Sequence, residues 1–285
     1  MFKSKLSLCF GTAALTLGIF VFAACHKNDK TTTTTEDSGY AADHNLAEKT
    51  YTDAQTISDQ GAAVGTGGSI NYRTTLTSSG PCATVTHSGD SIIVDFGSTD
   101  CLCLDGRLRR GKIITTYTGG AYSDSGSVHT TTFSGYYVDD NAVTGTKTVQ
   151  NMGHNSLGYP YFNVTVNGTI TKATGGTVTA NWSRVRTWLT GYATPTTWSD
   201  DSYSISGSGT LTRTTAAGVT TTVNVSISTA TPLIVAWGCR YIEAGTITYT
   251  LSSGAVRSID FGATPVCNAT ATLTWAGGSI VITLP

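Results

Sequence analysis

The sequence predicts an all-β protein built from antiparallel hairpins, arranged as two related sheets or as an open barrel or sandwich, with one helix near the N-terminus. Three observations predict it. From Ile70 onward, runs such as "SIIVDF", "YFNVTVNGTITKATGGTVTANW", "TTTVNVSIS" and "SIVITL" alternate or are rich in β-branched residues. Asn-Gly, Gly-Gly and Ser-Gly pairs punctuate those runs, as tight hairpin turns require. Thr, Ser and Gly are abundant while Lys, Glu, Leu and Met are scarce, a balance that disfavours helices.

The elements follow in order. Residues 1–24 read as a secretory signal, because Lys3 and Lys5 precede an apolar run from Leu6 to Ala24. The ending Phe22-Ala23-Ala24-Cys25 resembles the lipobox of bacterial lipoproteins, which implies cleavage before Cys25 and acylation of its sulfur and amine. An uncleaved apolar span of about 20 residues is the alternative anchor. Either way the two lysines stay cytoplasmic and the body is exported. Residues 25–41, with the run Thr31 to Thr35, are polar and low in complexity and are expected to form a flexible tether. Residues 42–68 are expected to hold a helix and a linker. Asn45 and Glu48 have capping-box spacing, and Ala47, Tyr51, Ala54 and Ile57 recur at helical spacing; with so few apolar residues the helix is expected to pack on its own sheet, a partner-binding helix being the alternative. Residues 69–285 form the β-rich domain.

That domain repeats itself. "DFGSTDCLC" at Asp95 returns as "DFGATPVC" at Asp260, each a strand, a turn, a cysteine and a strand. Asp139-Asp140 before "VTGT" likewise matches Asp200-Asp201 before "ISGS". The order is A, B, B′, A′, which a simple tandem duplication does not produce. Asp95 and Asp260 are expected to accept backbone N–H groups in turns that Gly97 and Gly262 permit.

Composition and motifs exclude several functions. With 12% charged residues and a net charge of −1, no field favours a polyanion, so nucleic acid is not an expected partner. No βαβ unit or glycine-rich phosphate loop accompanies the DFG triplet. Past residue 60 the only glutamate is Glu243, which leaves few acids for glycosidase chemistry. His87, His129 and His154 are isolated in polar text and read as solvated loop residues, and no cofactor or metal motif appears. A calcium role for Asp95, Asp100 and Asp105 fits no EF-hand spacing.

Two constellations remain. Five exported cysteines, Cys82, Cys101, Cys103, Cys239 and Cys267, permit disulfides. The match of A with A′ pairs Cys239 with Cys267 and Cys82 with either Cys101 or Cys103, leaving one thiol. On a strand, Trp182, Arg184, Arg186 and Trp188 share a face, and Tyr192 and Trp198 follow in a loop. Indoles beside guanidinium groups suit a sugar ring, or else form a cation–π ladder within the sheet. The cluster Arg107, Arg109, Arg110 and Lys112 offers a grip for an acidic group, or a solvated hairpin loop.

The segments "DFGSTDC…DGRLRRGKIITTYTG", "YYVDDNAVTGTKTVQNMG", "SRVRTW" and "DFGATPVCNATATLTWAGGSIVITL" together resemble a family of uncharacterised Bacteroidota lipoproteins. The resemblance implies an exported β-rich lipoprotein and carries over no catalytic residue. The expected function is therefore structural or interactive and non-enzymatic, at the outer membrane through a lipid anchor, on its periplasmic or cell-surface side. A glycan or another envelope protein is the expected partner. A glycan-binding protein using the Trp/Arg face and a hydrolase of unrecognised type are the alternatives.

Overall fold

The computed structural model describes residues 29–64, 69–70, 82–103, 105–194 and 197–284, so the signal 1–24 and Cys25 lie outside the described residues. Helix α1 spans Asp29–Ala63, 35 residues and about 52 Å of rise. It starts before residue 41, inside the segment expected to be a tether. Extending a helix that already exists costs little even through threonine, whereas starting one is expensive. Asn45 and Glu48 consequently sit in mid-helix and form no capping box.

The strands follow: β1 Ser69–Ile70, β2 Ala83–Ser88, β3 Ser91–Asp95, β4 Cys101–Leu102, β5 Leu108–Thr118 and β6 Val128–Val138. Next come β7 Asn141–His154, β8 Pro160–Thr171, β9 Thr177–Thr190, β10 Ser202–Thr214 and β11 Thr220–Ile227. β12 Leu233–Ala236, β13 Thr246–Leu251, β14 Val256–Asp260, β15 Thr270–Trp275 and β16 Gly278–Thr283 complete the set. All belong to one open antiparallel sheet, so two separate sheets are not formed. Its order is β1-β2-β3-β5-β6-β7-β8-β9-β10-β11-β13-β14-β15-β16, with β4 beside β5 and β12 beside β10.

That order accounts for A, B, B′, A′. Counted outward from the central β8–β9 hairpin, β7 and β10 occupy matching places, and so do β3 and β14. The repeated segments therefore sit symmetrically in the sheet although the chain meets them in reverse. The two DFG turns are built alike. Asp95 Oδ1 accepts the Gly97 N–H and Asp260 Oδ1 accepts the Gly262 N–H, both at 2.8 Å. Phe96 N–H donates to Gly111 O and Phe261 N–H to Gly245 O, both at 2.9 Å. Gly111 and Gly245 have φ of 82° and 100°, and a Cβ on either would strike the carbonyl of Gly135 or Pro232 respectively. Asp95 also pairs with Lys112 at 2.8 Å, Asp100 with Arg110 at 2.6 Å, and Asp105 with Arg109 at 2.7 Å. Each of the three acids has its own cation, so they do not assemble as a calcium site and the basic segment is not left free to grip an anion.

The sheet curls around α1. His44 stacks on Trp182 of β9 at 5.5 Å and meets Tyr249 of β13 edge-on at 5.6 Å. Tyr51 Oη donates to Thr144 O of β7 at 3.2 Å, and Ser58 Oγ lies 2.8 Å from Thr115 Oγ1 of β5. These three residues are seven apart and share one face of the helix, but Asp43, His44, Asn45, Ala47, Glu48, Lys49 and Thr50 are all buried, and seven positions covering two turns cannot all be covered by a flat sheet. The expected apolar face of Ala47, Tyr51, Ala54 and Ile57 is buried, and so are Asp43, Glu48, Lys49, Asp53 and Gln55. The helix thus packs on its own sheet, as expected, and is buried on its polar side as well. A polar helix tolerates enclosure because inward-facing side chains of the sheet and its turns supply partners. Asp43 meets Lys172 at 2.9 Å and Arg213 at 2.8 Å, and Asp53 meets Arg107 at 3.1 Å. Lys147 Nζ donates to Tyr51 O at 2.6 Å, and Lys49 Nζ to Cys239 O at 3.1 Å.

Cys82–Cys101 and Cys239–Cys267 are disulfides, and Cys103 is free and buried. Its Sγ lies 2.9 Å from Cys82 Sγ, so either neighbour on the β4 segment can reach Cys82. Cys101→Ser is expected to yield a Cys82–Cys103 bridge and to unfold within about 1 kcal/mol of the unmodified chain, since the closed loop changes by only two residues. Peptide mapping under non-reducing conditions checks this; two alkylatable thiols in place of a bridge would contradict it.

Candidate functional site

Beside the last turns of α1 lies a cavity of about 370 Å³. Gln55, Asp59, Ala62 and Ala63 face it from the last turns of α1, spaced so that one helix face presents them together. The sheet side contributes Tyr122 of the β5–β6 loop, His129 of β6, Val149 of β7, Phe162 of β8, Arg186 and Trp188 of β9, and Tyr203 of β10.

Two aromatic pairs line this space. Tyr122 stacks on His129 with centroids 3.8 Å apart. His129 Nε2 donates to Tyr122 O at 2.7 Å, which leaves Nδ1 as the ring's acceptor, buried and without a hydrogen-bond partner. Burial lowers the His129 pKa, so the ring is neutral near pH 7. The second pair, Trp188 and Tyr203, are cross-strand neighbours and stack at 5.6 Å. Asp201 holds both from behind: Oδ1 accepts Trp188 Nε1–H and Oδ2 accepts Tyr203 O–H, each at 3.1 Å. Burial raises the Asp201 pKa to about 6 against the opposing pull of those two donors.

The charged groups of the cavity are Asp59 and Arg186. Asp59 Oδ1 accepts Tyr122 Oη–H at 2.8 Å and Gln55 Nε2–H at 2.7 Å. The Arg186 guanidinium lies over the Tyr203 ring, 3.6 Å from its centroid, and its Nε is buried without a hydrogen-bond partner.

The expected sugar platform is therefore placed differently. Trp182, Arg184, Arg186 and Trp188 do share a face, as alternation requires, but that face is the inside of the curled sheet. Trp182 and Arg184 are each 3% exposed and closed against α1, so they are unavailable to a ligand. Arg186 and half-buried Trp188 reach the cavity. Tyr192 is exposed and meets Tyr159 edge-on at 6.0 Å, away from the cavity lining. Trp198 opens the short 3-10 turn Trp198–Asp200, and its side chain lies outside the described residues. The reading of His129 as a solvated loop residue is also corrected: it is 4% exposed, on a strand, because its polar neighbours belong to the opposite face. Sequence reasoning missed Asp59, Tyr122 and Tyr203. Only the helical spacing of Gln55, Asp59 and Ala62 carried a readable signal.

Among the described residues, Cys239, Glu243 and Cys267 are grouped as metal ligands would be, yet the two sulfurs form a disulfide and offer no thiolate. Among the described residues no helix is long and apolar enough to cross a membrane. No family model matches this chain, and neither does any curated protein or solved structure.

Proposed function

We propose that this chain is an exported, lipid-tethered, non-catalytic binding protein whose site is the cavity at the C-terminal end of α1. The observation that carries the reading is a half-open cavity of about 370 Å³ walled by two aromatic stacks and holding the charged groups Asp59 and Arg186. A space of that size, apolar with a few convergent polar groups, is the usual form of a small-molecule site. Asp59 is the one acid that lines it among the described residues, which argues against glycosidase chemistry, where a pair of acids flanks the scissile bond. Export and anchoring rest on the lipobox resemblance at Cys25 and on the likeness to Bacteroidota lipoproteins. The inward direction of the Trp/Arg face argues against an extended glycan lying along the protein. Any sugar would have to enter the cavity as a small unit.

The test is thermal unfolding of the full chain against small molecules grouped as neutral sugars, organic acids, bases and neutral aromatics. At a ligand concentration about a hundredfold above Kd, binding stabilises by about 2.7 kcal/mol. One class is expected to shift the unfolding temperature, and Ala63→Trp, placed at the mouth, to abolish the shift. No shift with any class, or a shift indifferent to Ala63→Trp, would remove the binding reading.

A further inference from the structure

We infer that the ligand of this cavity is a small organic monoanion with a flat, largely apolar body. The inference rests on the binding reading above and adds the class of ligand. Among the described residues three arginines are buried: Arg109, Arg184 and Arg186. Arg109 has Asp105 at 2.7 Å, and Arg184 has Glu48 at 3.5 Å. Arg186 is 6% exposed, yet among the described residues it makes no ion pair and its Nε has no hydrogen-bond partner. Among the described residues it is the one buried guanidinium that lines this cavity. A desolvated cation of this kind is satisfied by a carboxylate or sulfonate that enters with a ligand, and a fork of N–H groups fits both.

The rest of the lining selects the body. Phe162, Val149 and the two aromatic stacks offer flat apolar surface, and about 370 Å³ suits one or two fused or linked rings. Asp59 on the same cavity repels a second negative charge and so sets the limit at a monoanion. It also orients the ligand, with the acid end at Arg186 and any hydroxyl or amino donor toward Asp59 or the unpartnered Nδ1 of His129.

The test uses 1-anilinonaphthalene-8-sulfonate, an anionic fluorescent probe, and N-phenyl-1-naphthylamine, the same ring system without the sulfonate, titrated into the folded full chain. The anionic probe is expected to bind at one site at least about tenfold more tightly than the neutral one. Arg186→Met is expected to erase that preference while leaving the neutral probe's affinity within about twofold. Where Arg186→Met fails to fold, the preference in the unmodified chain decides. Displacement by 4-hydroxybenzoate supports the proposal. Displacement by glucuronate alone overturns it in favour of an acidic sugar. Equal affinity for both probes overturns the anionic class and leaves the binding reading standing, whereas binding of neither probe removes both.

Discussion

Glu48→Ala destabilises the folded chain by about 3–5 kcal/mol, the usual effect of leaving a buried charge without its partner. Glu48 is 5% exposed at the centre of α1, with Arg184 Nε at 3.5 Å and His44 Nε2 at 3.4 Å. Burial alone would raise its pKa, but Arg184 foremost, then His44 and Lys147, hold it at about 2, below the ordinary 4.5. His44 is pushed toward its neutral form by burial, so Arg184 carries the positive charge of the group. The Nε and Nη2 atoms of Arg184 have no hydrogen-bond partner, so the ion pair with Glu48 is what compensates this buried charge. Because the folded-state pKa is depressed, the contribution is present above about pH 4.5 and lost as pH falls from there to about 2. Urea unfolding across that range measures it in the unmodified chain and in Glu48→Ala. The double variant Glu48→Leu/Arg184→Leu is expected to recover most of the loss, since apolar replacement of a whole buried pair is often neutral or better. A loss under about 1 kcal/mol in the single variant would mean that α1 meets solvent at this turn.

Lys147 gives the opposite sign. It is 3% exposed, and burial first, then the nearby Arg186, pushes its pKa down to about 7 from 10.5, although Asp59, Glu48 and Asp53 pull the other way. Between those values the unfolded chain holds a proton that the folded chain does not, so stability rises with pH through the window. From about pH 7 to pH 9 the rise is expected to be about 1–3 kcal/mol in urea unfolding. Staying below pH 10 matters, because burial raises the pKa of Tyr51, Tyr122 and Tyr249 above 10.0, which makes stability fall again at higher pH. Lys147→Met is expected to flatten the profile and to stabilise the chain at neutral pH. Identical profiles for both chains would contradict the enclosure of Lys147.

What was legible in the sequence follows the range of the forces involved. Strand and turn signals are local, and so the antiparallel hairpins, the two DFG turns, the Cys239–Cys267 bridge and the shared face of Trp182 to Trp188 could all be read directly. The direction of that face could not, because alternation gives two faces and does not say which is inside. Binary pattern normally decides, but here charged side chains point inward on both sides: Arg184, Arg186 and Lys147 from the sheet, Glu48 and Asp53 from the helix. A polar helix beside polar inward positions looks solvated until the two are known to meet. The cavity was hidden for the same reason, since Asp59, Tyr122 and Tyr203 are far apart in sequence and converge only when β9 and β10 come into register and α1 ends beneath them.

The account depends on a helix enclosed by its own sheet, and amide hydrogen exchange of the full chain tests that most directly. Residues 40–61 of α1 are expected to exchange no faster than the central strands β7 to β10, because the helix can be exposed only when the sheet opens. Rapid exchange across those helical residues while β7 to β10 stay protected would show a helix that lies outside the sheet, and would contradict it.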